Sequence, residues 1–237
     1  MDPVILTPRL KLTLVTTAEK GSQDLAWYHQ LRSNEQSSFW KQVQPIHSLI
    51  HGTSKSLEET EKGWKADPPY PTVESPHRVN YAVHRLLAPD TDTTQTEYIG
   101  HVNLRSVSTS GDTARALAIP ETLTSLPPAA AAATVVIEVG YGFLPAAWGK
   151  GFATEAVQAV MEACKATSNA ARDFWRPFTK VYVRAIVNGM NGASLRVLDK
   201  VGIAKRGIYA WKGEPIFHGG EWRGEVDLHI YGMYLVE

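Results

Sequence analysis

Residues 135–154 read VVIEVGYGFLPAAWGKGFAT, and this stretch decides the fold. A strand-like run ends at Pro145, a turn with Gly149 and Gly151 follows, and a helix opens directly from the turn. Such a turn leaves backbone N–H groups unpaired at the positive end of a helix dipole, which suits a phosphate or pyrophosphate. Because glycine has no Cβ, the backbone can approach an anion closely. The stretch therefore predicts an anion-binding turn between a strand and a helix.

Two familiar nucleotide-binding motifs do not fit this turn. The dinucleotide fingerprint would open the first strand–helix unit of a sheet and place an acidic residue about twenty residues further on. The nearest acidic candidate, Asp173, lies in the aromatic stretch DFWRPF instead. The P-loop needs Ser or Thr after Gly-Lys, but Lys150 is followed by Gly151. Taken alone, the turn could also be an ordinary connection.

The strand before the turn and a later strand–helix pair add to the pattern. One face of the strand carries Glu138 beside Gly140 and Gly142, and this sparse face leaves the space that a threaded ligand needs. The run KVYVRAIV, residues 180–187, is apolar on both faces, as is typical of a central parallel strand. Asn191 then stands where an N-cap would begin the next helix.

The segments IEVGYGFLPAAWGKGFATEAV and NGASLRVLDKVGI, in that order, resemble the acetyl-CoA-binding core of the GNAT acetyltransferases. Within the family they resemble the branch named for enzymes that acetylate ribosomal-protein N-termini. The family's turn is usually written Gln/Arg-x-x-Gly-x-Gly/Ala. Gly151 and Ala153 match it, while Trp148 stands where Gln or Arg is usual. The opening TPRLKLTLV also resembles the family's first strand, so the likeness covers most of the chain and is densest over residues 135–203.

The resemblance implies a fold, a cosubstrate and a set of binding residues. The fold would be α/β (α+β), with a mixed, mostly antiparallel central sheet, helices on both faces and a splay where the central strands admit acetyl-CoA. One such domain would span residues 1–237, with insertions at 107–134 and 168–179. The residues implied to bind acetyl-CoA are Tyr141, Phe143, Trp148, Gly149, Lys150, Gly151, Phe152, Ala153, Thr154 and Asn191.

Acetyl transfer from a thioester to an amine needs a proton acceptor, donors for the oxyanion and help for the departing thiolate. Glu138, flanked by apolar residues, is the candidate base, acting directly or through water. It could instead be a structural carboxylate paired with a neighbouring Arg. The resemblance places Ser194 near the sulfur, where its hydroxyl could donate to the leaving group, and Asn191 near the pantetheine arm. Helix capping would explain Asn191 and Ser194 as well.

Other residues have weaker claims to a role. Tyr209 is an alternative acid, because other branches of the family use a tyrosine after the last core helix. Three aromatic residues either line an acceptor pocket or pack a loop: Trp211, Phe217 and Trp222. His47 and His51 have helical metal-ligand spacing, but Pro45 interrupts the helix and no third ligand is near, so we expect no metal site.

Composition narrows the setting of the protein. The 24 Lys and Arg residues balance 24 Asp and Glu residues, so nothing favours binding to nucleic acid by bulk charge. The single cysteine, Cys164, cannot form an intramolecular disulfide and is expected to be a buried thiol in a reducing compartment. No apolar run approaches the roughly 18 residues of a membrane span, and the first residues do not resemble a signal peptide. We therefore expect a soluble, cytoplasmic protein without membrane contact.

Local patterns predict several further elements. One helix is expected from Ser22 to about Phe39 and another from Ser56 to near Trp64. Two strands, NYAVHRLL and YIGHVNLRSV, form a hairpin with a long polar loop, and two more, IYAW and VDLHIYGMYL, are joined by a long linker. The alanine-rich insertion at 107–134 is expected to be a tolerated surface loop or to carry a short helix.

The functional expectation is an acetyl-CoA-dependent N-acetyltransferase. The acceptor would be a primary amine, namely a protein N-terminus, a lysine or a small amine, that attacks directly in a ternary complex. Neutral net charge does not choose among these acceptors, and the sequence leaves the oligomeric state open. The alternative is a non-catalytic sensor or scaffold that binds CoA or acetyl-CoA on the same fold.

Overall fold

The structure is a computed structural model that describes residues 1–17, 19–40, 56–66, 77–89, 92–107, 117–124, 132–165, 173–218 and 221–236. The strands are β1 (Val4–Leu6), β2 (Leu10–Leu14), β3 (Arg78–Ala88), β4 (Asp92–Ser106), β5 (Thr134–Phe143), β6 (Lys180–Asn188), β7 (Lys205–His218) and β8 (Glu221–Val236). The helices are α1 (Gln23–Arg32), α2 (Glu35–Ser38), α3 (Leu57–Ala66), α4 (Glu121–Thr124), α5 (Phe152–Lys165) and α6 (Gly192–Val201). The strands form one sheet in the order β1-β2-β3-β4-β5-β6-β8-β7.

The sheet is mixed, and its parallel step lies between β5 and β6. These two strands pair from Thr134 opposite Lys180 to Glu138 opposite Arg184, while the other pairings of the sheet are antiparallel. Beyond Glu138 and Arg184, β5 runs on to Phe143 and β6 to Asn188 without pairing to each other. We call the space between these unpaired ends the strand gap. The predicted splay of the central strands is confirmed.

Helices cover both faces of the sheet. The apolar side of α5, which includes Val157 and Val160, packs in one core cluster with Tyr81 and Val83 of β3. Because side chains alternate along a strand, Ala82 points to the opposite face, where it packs with α1 and α3. The predicted arrangement of helices on both faces is therefore confirmed.

The helix predicted from Ser22 to Phe39 is wrong in its length. Ser22 caps α1 as expected, since its Oγ accepts a hydrogen bond from the Leu25 N–H at 3.2 Å. The helix ends at Arg32, and the Oδ1 of Asn34 accepts from the Ser37 N–H at 2.9 Å to begin α2. An Asn side chain competes with the helical backbone for hydrogen bonds, so it starts a new helix more readily than it continues one. The second predicted helix is confirmed as α3.

The two long loops predicted between strands are also wrong. The strands β3 and β4 extend to Ala88 and Asp92, so their connection is short. The strands β7 and β8 likewise continue through the expected linker, and their register still pairs His218 with Glu221. The polar residues of both hairpins lack the apolar alternation that predicts a strand. The ends of these hairpins lie in solvent, where burial imposes no such alternation.

The described parts of the two segments that were predicted to be insertions pack against the core. Leu117 and Ile119 are buried against β7 and β8, and the short helix α4 follows them. The interpretation of this part as a mere surface loop is wrong, because its apolar side chains cover the sheet. In the second of these segments, Trp175 is buried and its ring stacks on His77 at a centroid distance of 5.9 Å. The remaining residues of both predicted insertions lie outside the described residues, and so do His47 and His51, where no metal site was expected.

Candidate active site

The turn before α5 has the geometry expected of an anion site. Gly149 and Gly151 have positive φ angles of 73° and 79°, which L side chains rarely adopt. A Cβ added to Gly149 would meet no atom within 4 Å, so that side of the turn faces open space. The indole N–H of Trp148 donates to the Phe143 carbonyl at 2.8 Å and ties the turn to the end of β5. The turn is thus held open for a ligand.

A brace from the N-terminal hairpin holds the other side of this turn. The Nε of Arg9 donates to Glu155 on α5 at 2.7 Å, and its Nη1 donates to the Lys150 carbonyl at 3.0 Å. The hydroxyl of Thr7 donates to the second oxygen of Glu155 at 2.6 Å. The guanidinium also lies 4.8 Å above the centre of the Phe152 ring. These contacts place residues 7–10 (TPRL) beside the turn, a position that the sequence pattern did not predict.

A cleft of about 480 Å³ opens between the turn, α5 and α6, and we call it the cofactor cleft. All the residues implied to bind acetyl-CoA line it, with the exception of Lys150. The ammonium of Lys150 instead donates to the Ala146 carbonyl at 2.7 Å, so a role for this residue rests on its backbone. Ser194 lines the cleft as well, and so do residues that the sequence analysis did not single out: Gln36, Ser37, Trp40, Arg196 and Lys200.

A second chamber of about 270 Å³ lies in the strand gap. Its walls include Val139 of β5 and Ala185 of β6 on the α5 side of the sheet, and Gly140 and His101 on the opposite side. The chamber shares Tyr141, Gly142, Asn191 and Ser194 with the cofactor cleft. The two spaces therefore adjoin at these residues, one on the side of the turn and the other in the strand gap, and together we call them the passage.

Tyr141 and Ser194 meet at the junction of the two spaces. The Tyr141 hydroxyl lies 2.7 Å from the Ser194 Oγ and 3.1 Å from the Ser194 carbonyl oxygen, so its one hydrogen can be directed to either oxygen. Burial raises the pKa of Tyr141 to about 12, although the hydrogen bond with Ser194 lowers it in part. The phenol is therefore protonated at neutral pH and can donate to the serine oxygen. This pairing of two predicted residues was not foreseen, since it joins β5 to α6.

Asn191 occupies the predicted N-cap of α6. Its Oδ1 accepts a hydrogen bond from the Ser194 N–H at 3.1 Å, which orients the first turn of the helix. Because both residues also line the cleft, the capping interpretation and the ligand-binding interpretation are compatible.

Glu138 lies at the closed end of the strand gap. Its Oε1 accepts from the Arg184 Nη2 at 2.8 Å, and its Oε2 is 3.6 Å from the Arg105 Nη2. The carboxylate lines neither the cofactor cleft nor the second chamber, and Gly140, two residues further along β5, is the nearer wall. The arginine-paired arrangement is thus present in the structure, while the role of Glu138 as a base stays a prediction.

His101 is an ionisable residue of the second chamber that the sequence analysis missed. It lies on β4 opposite Gly142 of β5, and its ring packs 5.4 Å from that of Tyr28 on α1. The sequence alone could not single out His101. Its position becomes informative once β4 is paired with β5, because the glycine-rich face of β5 leaves the histidine ring open to the strand gap.

The weaker aromatic candidates lie away from this passage. Tyr209 and Trp211 pack in the cluster between β7, β8 and the segment around Ile119, and neither lines the cleft or the chamber. Trp222 is 57% exposed on β8. The side chain of Phe217 lies outside the described residues.

Cys164 behaves as a core residue. It is buried in the apolar side of α5, and this burial raises the pKa of its thiol to about 12. A thiol that stays protonated and inaccessible is a poor nucleophile, which agrees with its expected structural role. Within the described residues, no group of three or more His, Cys, Asp or Glu side chains is placed to hold a metal ion. None of the helices in the described ranges combines the length and apolar character needed to cross a membrane.

The sheet with its parted central strands, the glycine turn and the passage between them define a CoA-type acetyltransferase fold. A family model described as "Acetyltransferase (GNAT) domain" matches residues 11–204. The protein therefore belongs to the GNAT acetyltransferase family, whose domains use acetyl-CoA. No curated protein sequence matches the chain.

Solved structures share the fold at low sequence identity. A GNAT acetyltransferase from Bacillus anthracis is 17% identical with a TM-score of 0.54, and 98% of each chain is covered. RimL, a ribosomal L7/L12 alpha-N-protein acetyltransferase in complex with CoA, is 14% identical with a TM-score of 0.56 and 97% of each chain covered. The spermidine N-acetyltransferase from Vibrio cholerae, in complex with CoA and spermine, is 15% identical with a TM-score of 0.53 and 97% of each chain covered. These likenesses establish the fold.

Proposed function

We propose that this protein transfers the acetyl group of acetyl-CoA to a primary amine by direct attack in a ternary complex. The observation that carries the proposal is the passage. The cofactor cleft begins at the anion-binding turn, and the second chamber opens on the opposite face beside Gly140 and His101. Two substrates can thus enter from opposite faces and meet at Tyr141 and Ser194.

The residues of the cleft fit acetyl-CoA from one end to the other. The turn at Gly149 offers backbone N–H groups at the start of α5 to the pyrophosphate. The strand gap leaves unpaired backbone along β5 and β6, to which the amides of the pantetheine arm can hydrogen-bond. Ser194 then stands at the inner end of the cleft, where the sulfur would lie.

The chemistry requires that a C–N bond form while the C–S bond of the thioester breaks. The amine attacks as a free base and gives up a proton, for which Glu138 acting through water is the proposed acceptor. Two residues along a strand span about 6.6 Å. An amine beside Gly140 would therefore pass its proton to Glu138 through a water and not by direct contact. The departing sulfur receives a hydrogen bond from Ser194, whose oxygen is supported in turn by the Tyr141 hydroxyl.

The acceptor is proposed to be a protein N-terminus, a lysine or a small amine. RimL is named for acetylation of a protein N-terminus, and the Vibrio cholerae enzyme is named for acetylation of spermidine. An assay should therefore contain peptides with free N-termini, lysine-containing peptides with blocked N-termini, and polyamines. Release of free CoA thiol, together with a mass increase of one acetyl group on the amine, would support the proposal.

The same assay separates the enzyme from the alternative scaffold. A non-catalytic CoA-binding protein would bind acetyl-CoA without releasing thiol in the presence of any amine of the panel. The cytoplasmic location expected from the single cysteine stays a prediction.

A further inference from the structure

The side chain of Asn188, the last residue of β6, carries a hydrogen-bond donor that the fold leaves unused. Asn188 is only 4% exposed, and its Oδ1 accepts a hydrogen bond from the Met190 N–H at 2.8 Å. Because a backbone N–H can bond only to the oxygen of a side-chain amide, this contact fixes which end carries the NH2 group. The Nδ2 atom is buried and has no hydrogen-bond partner in the part of the chain that the structure describes. Buried polar groups in native proteins are nearly always paired, so this donor points to a ligand.

Asn188 lies on the face of the sheet that α1 covers. Side chains alternate along a strand, so Asn188 shares its face with Arg184, four residues earlier in β6. Arg184 forms an ion pair with Glu138, and Glu138 lies opposite Arg105 of β4. His101, four residues from Arg105 on the same strand, packs against α1. The amide of Asn188 is therefore on the side of the sheet from which the acceptor is proposed to enter.

A hollow along β8 also borders Asn188, but it belongs to the other face. Its walls include Asp227 and His229. His229 lies opposite Val187 of β6, and the Val187 side chain packs in the core cluster under α5. Because neighbours along a strand point to opposite faces, the Asn188 side chain is directed away from this cluster.

The second chamber places the Asn188 amide near the reaction centre. Asn188 and Ser194 both line the chamber, and the other walls include the apolar side chains of Leu31 and Ile186. An alkyl amine in this space would leave the Nδ2 donor unpaired among apolar groups, and an unpaired buried donor costs free energy. An amine whose neighbouring carbon bears a carbonyl group would supply the missing acceptor oxygen.

We propose that Asn188 selects the acceptor by donating a hydrogen bond from Nδ2 to a carbonyl oxygen beside the reacting amine. This inference rests on the proposed function, because it assumes that an amine enters the chamber. The substrate class is then the α-amino carbonyl compounds, which include amino-acid amides and the first residue of a peptide. Lysine side chains and polyamines lack this oxygen and fall outside the class.

The test compares glycinamide with isobutylamine, which has a similar shape and no carbonyl oxygen. In Asn188→Ala, kcat/KM for glycinamide should fall about tenfold, since one hydrogen bond is lost. For isobutylamine it should stay within about twofold of wild type. Each variant is compared with wild type on the same amine, so the different basicity of the two amines cancels. If neither small amine is acetylated, a peptide with a free N-terminus and a lysine peptide with a blocked N-terminus form the pair.

Asn80→Ala is the matched control. Asn80 on β3 is also 4% exposed, and it lines neither the cofactor cleft nor the second chamber. Its removal should change kcat/KM equally for both amines. Asn188→Ser guards against a failure of Asn188→Ala to fold, because a serine hydroxyl can also accept from the N–H two residues further on. The shorter serine should show the same selective loss as alanine.

The other outcomes count against the inference. Equal losses for both amines, or no loss for either, in the Asn188 variants would overturn it and leave the proposed function intact. A selective loss of the same size in Asn80→Ala would also overturn it, since a residue outside the chamber would then have the same effect. A wild-type protein that releases CoA thiol with alkyl amines only would overturn the inference alone. Release with no amine at all would overturn the proposed function together with it.

Discussion

Glu138 and Arg184 are the last residues that β5 and β6 pair in register, and an ion pair of 2.8 Å joins their side chains at that point. The Arg184 side chain is only 4% exposed, so its charge needs a partner, and Glu138 provides an ion pair. The ion pair thus closes the end of the strand gap, and a base role for Glu138 must be tested apart from this structural one.

Glu138→Gln should lower turnover by about 10² if the carboxylate accepts the proton of the amine, because general-base help is commonly of this size. Arg184→Gln keeps the carboxylate and should keep most of the turnover. Both variants should lower the melting temperature, because each removes one partner of a buried pair, at a cost of about 3–5 kcal/mol. Turnover per folded molecule, measured from pH 6 to 9, separates the two effects.

Equal turnover in the Glu138→Gln and Arg184→Gln variants would contradict the base role and leave Glu138 as a structural residue. His101 would then be the next candidate, since it lines the second chamber. A loss confined to His101→Gln would transfer the proton-accepting role to that residue.

Ser194→Ala should lower kcat more than it raises the KM for acetyl-CoA, because a bond to the departing sulfur strengthens in the transition state. Tyr141→Phe is the matched variant, since it removes the hydroxyl that lies 2.7 Å from Ser194 Oγ and keeps the ring. It should have a smaller effect in the same direction. Steady-state kinetics and melting curves on the same preparations provide the measurement. A lower melting temperature with normal kcat would assign Ser194 to the helix start alone.

Gly149→Val should abolish measurable acetyl-CoA binding, because the new side chain would project into the open space of the turn. Gly21→Val is the matched control. Gly21 has a similar positive φ of 88° with nothing within 4 Å of its Cβ position, and it lies outside the cofactor cleft. Both variants incur comparable backbone strain. Calorimetric titration should therefore show a loss only for Gly149→Val, and equal losses would attribute the effect to strain instead.

Arg9→Ala should raise the KM for acetyl-CoA several-fold with little change in kcat, because the brace on Glu155 and the Lys150 carbonyl orients the turn. Arg9 is half exposed, so the loss of stability should be at most about 1 kcal/mol. Arg85→Ala is the control, since it breaks an exposed ion pair with Glu97 away from the cleft. Steady-state kinetics that show the same KM for both variants would refute a role for the brace.

Acid should destabilise the protein through His84. Burial lowers the pKa of His84 to about 4, with a smaller effect from the charge of Lys11. The unfolded state therefore binds a proton below pH 6.5 that the folded state rejects until about pH 4. The stabilisation is present above pH 6.5 and is lost as the pH falls toward 4. His84→Phe should reduce this decline, as measured by urea unfolding at several pH values, and an unchanged decline would assign it to other groups.

Several features of the site followed from the sequence because they depend on near neighbours along the chain. The glycine turn, the apolar side of α5 and the cap at Asn191 are set by backbone conformation and by periodicity within one element. The parallel strand β6 was also predictable, since it is apolar on both faces. Polar hairpin ends and the break at Asn34 were mispredicted, because hydrogen bonding there outweighs the hydrophobic pattern.

The tertiary structure alone decided which distant groups meet. Arg9 and Glu155 are 146 residues apart, Tyr141 and Ser194 are 53 apart, and Glu138 and Arg184 are 46 apart. The sequence by itself determined that two GNAT-like segments are present in order, the first of which contains the glycine turn. Whether Glu138 faces an arginine or a substrate depends on the register of β5 against β6, because a shift of one residue would turn each side chain to the other face of the sheet.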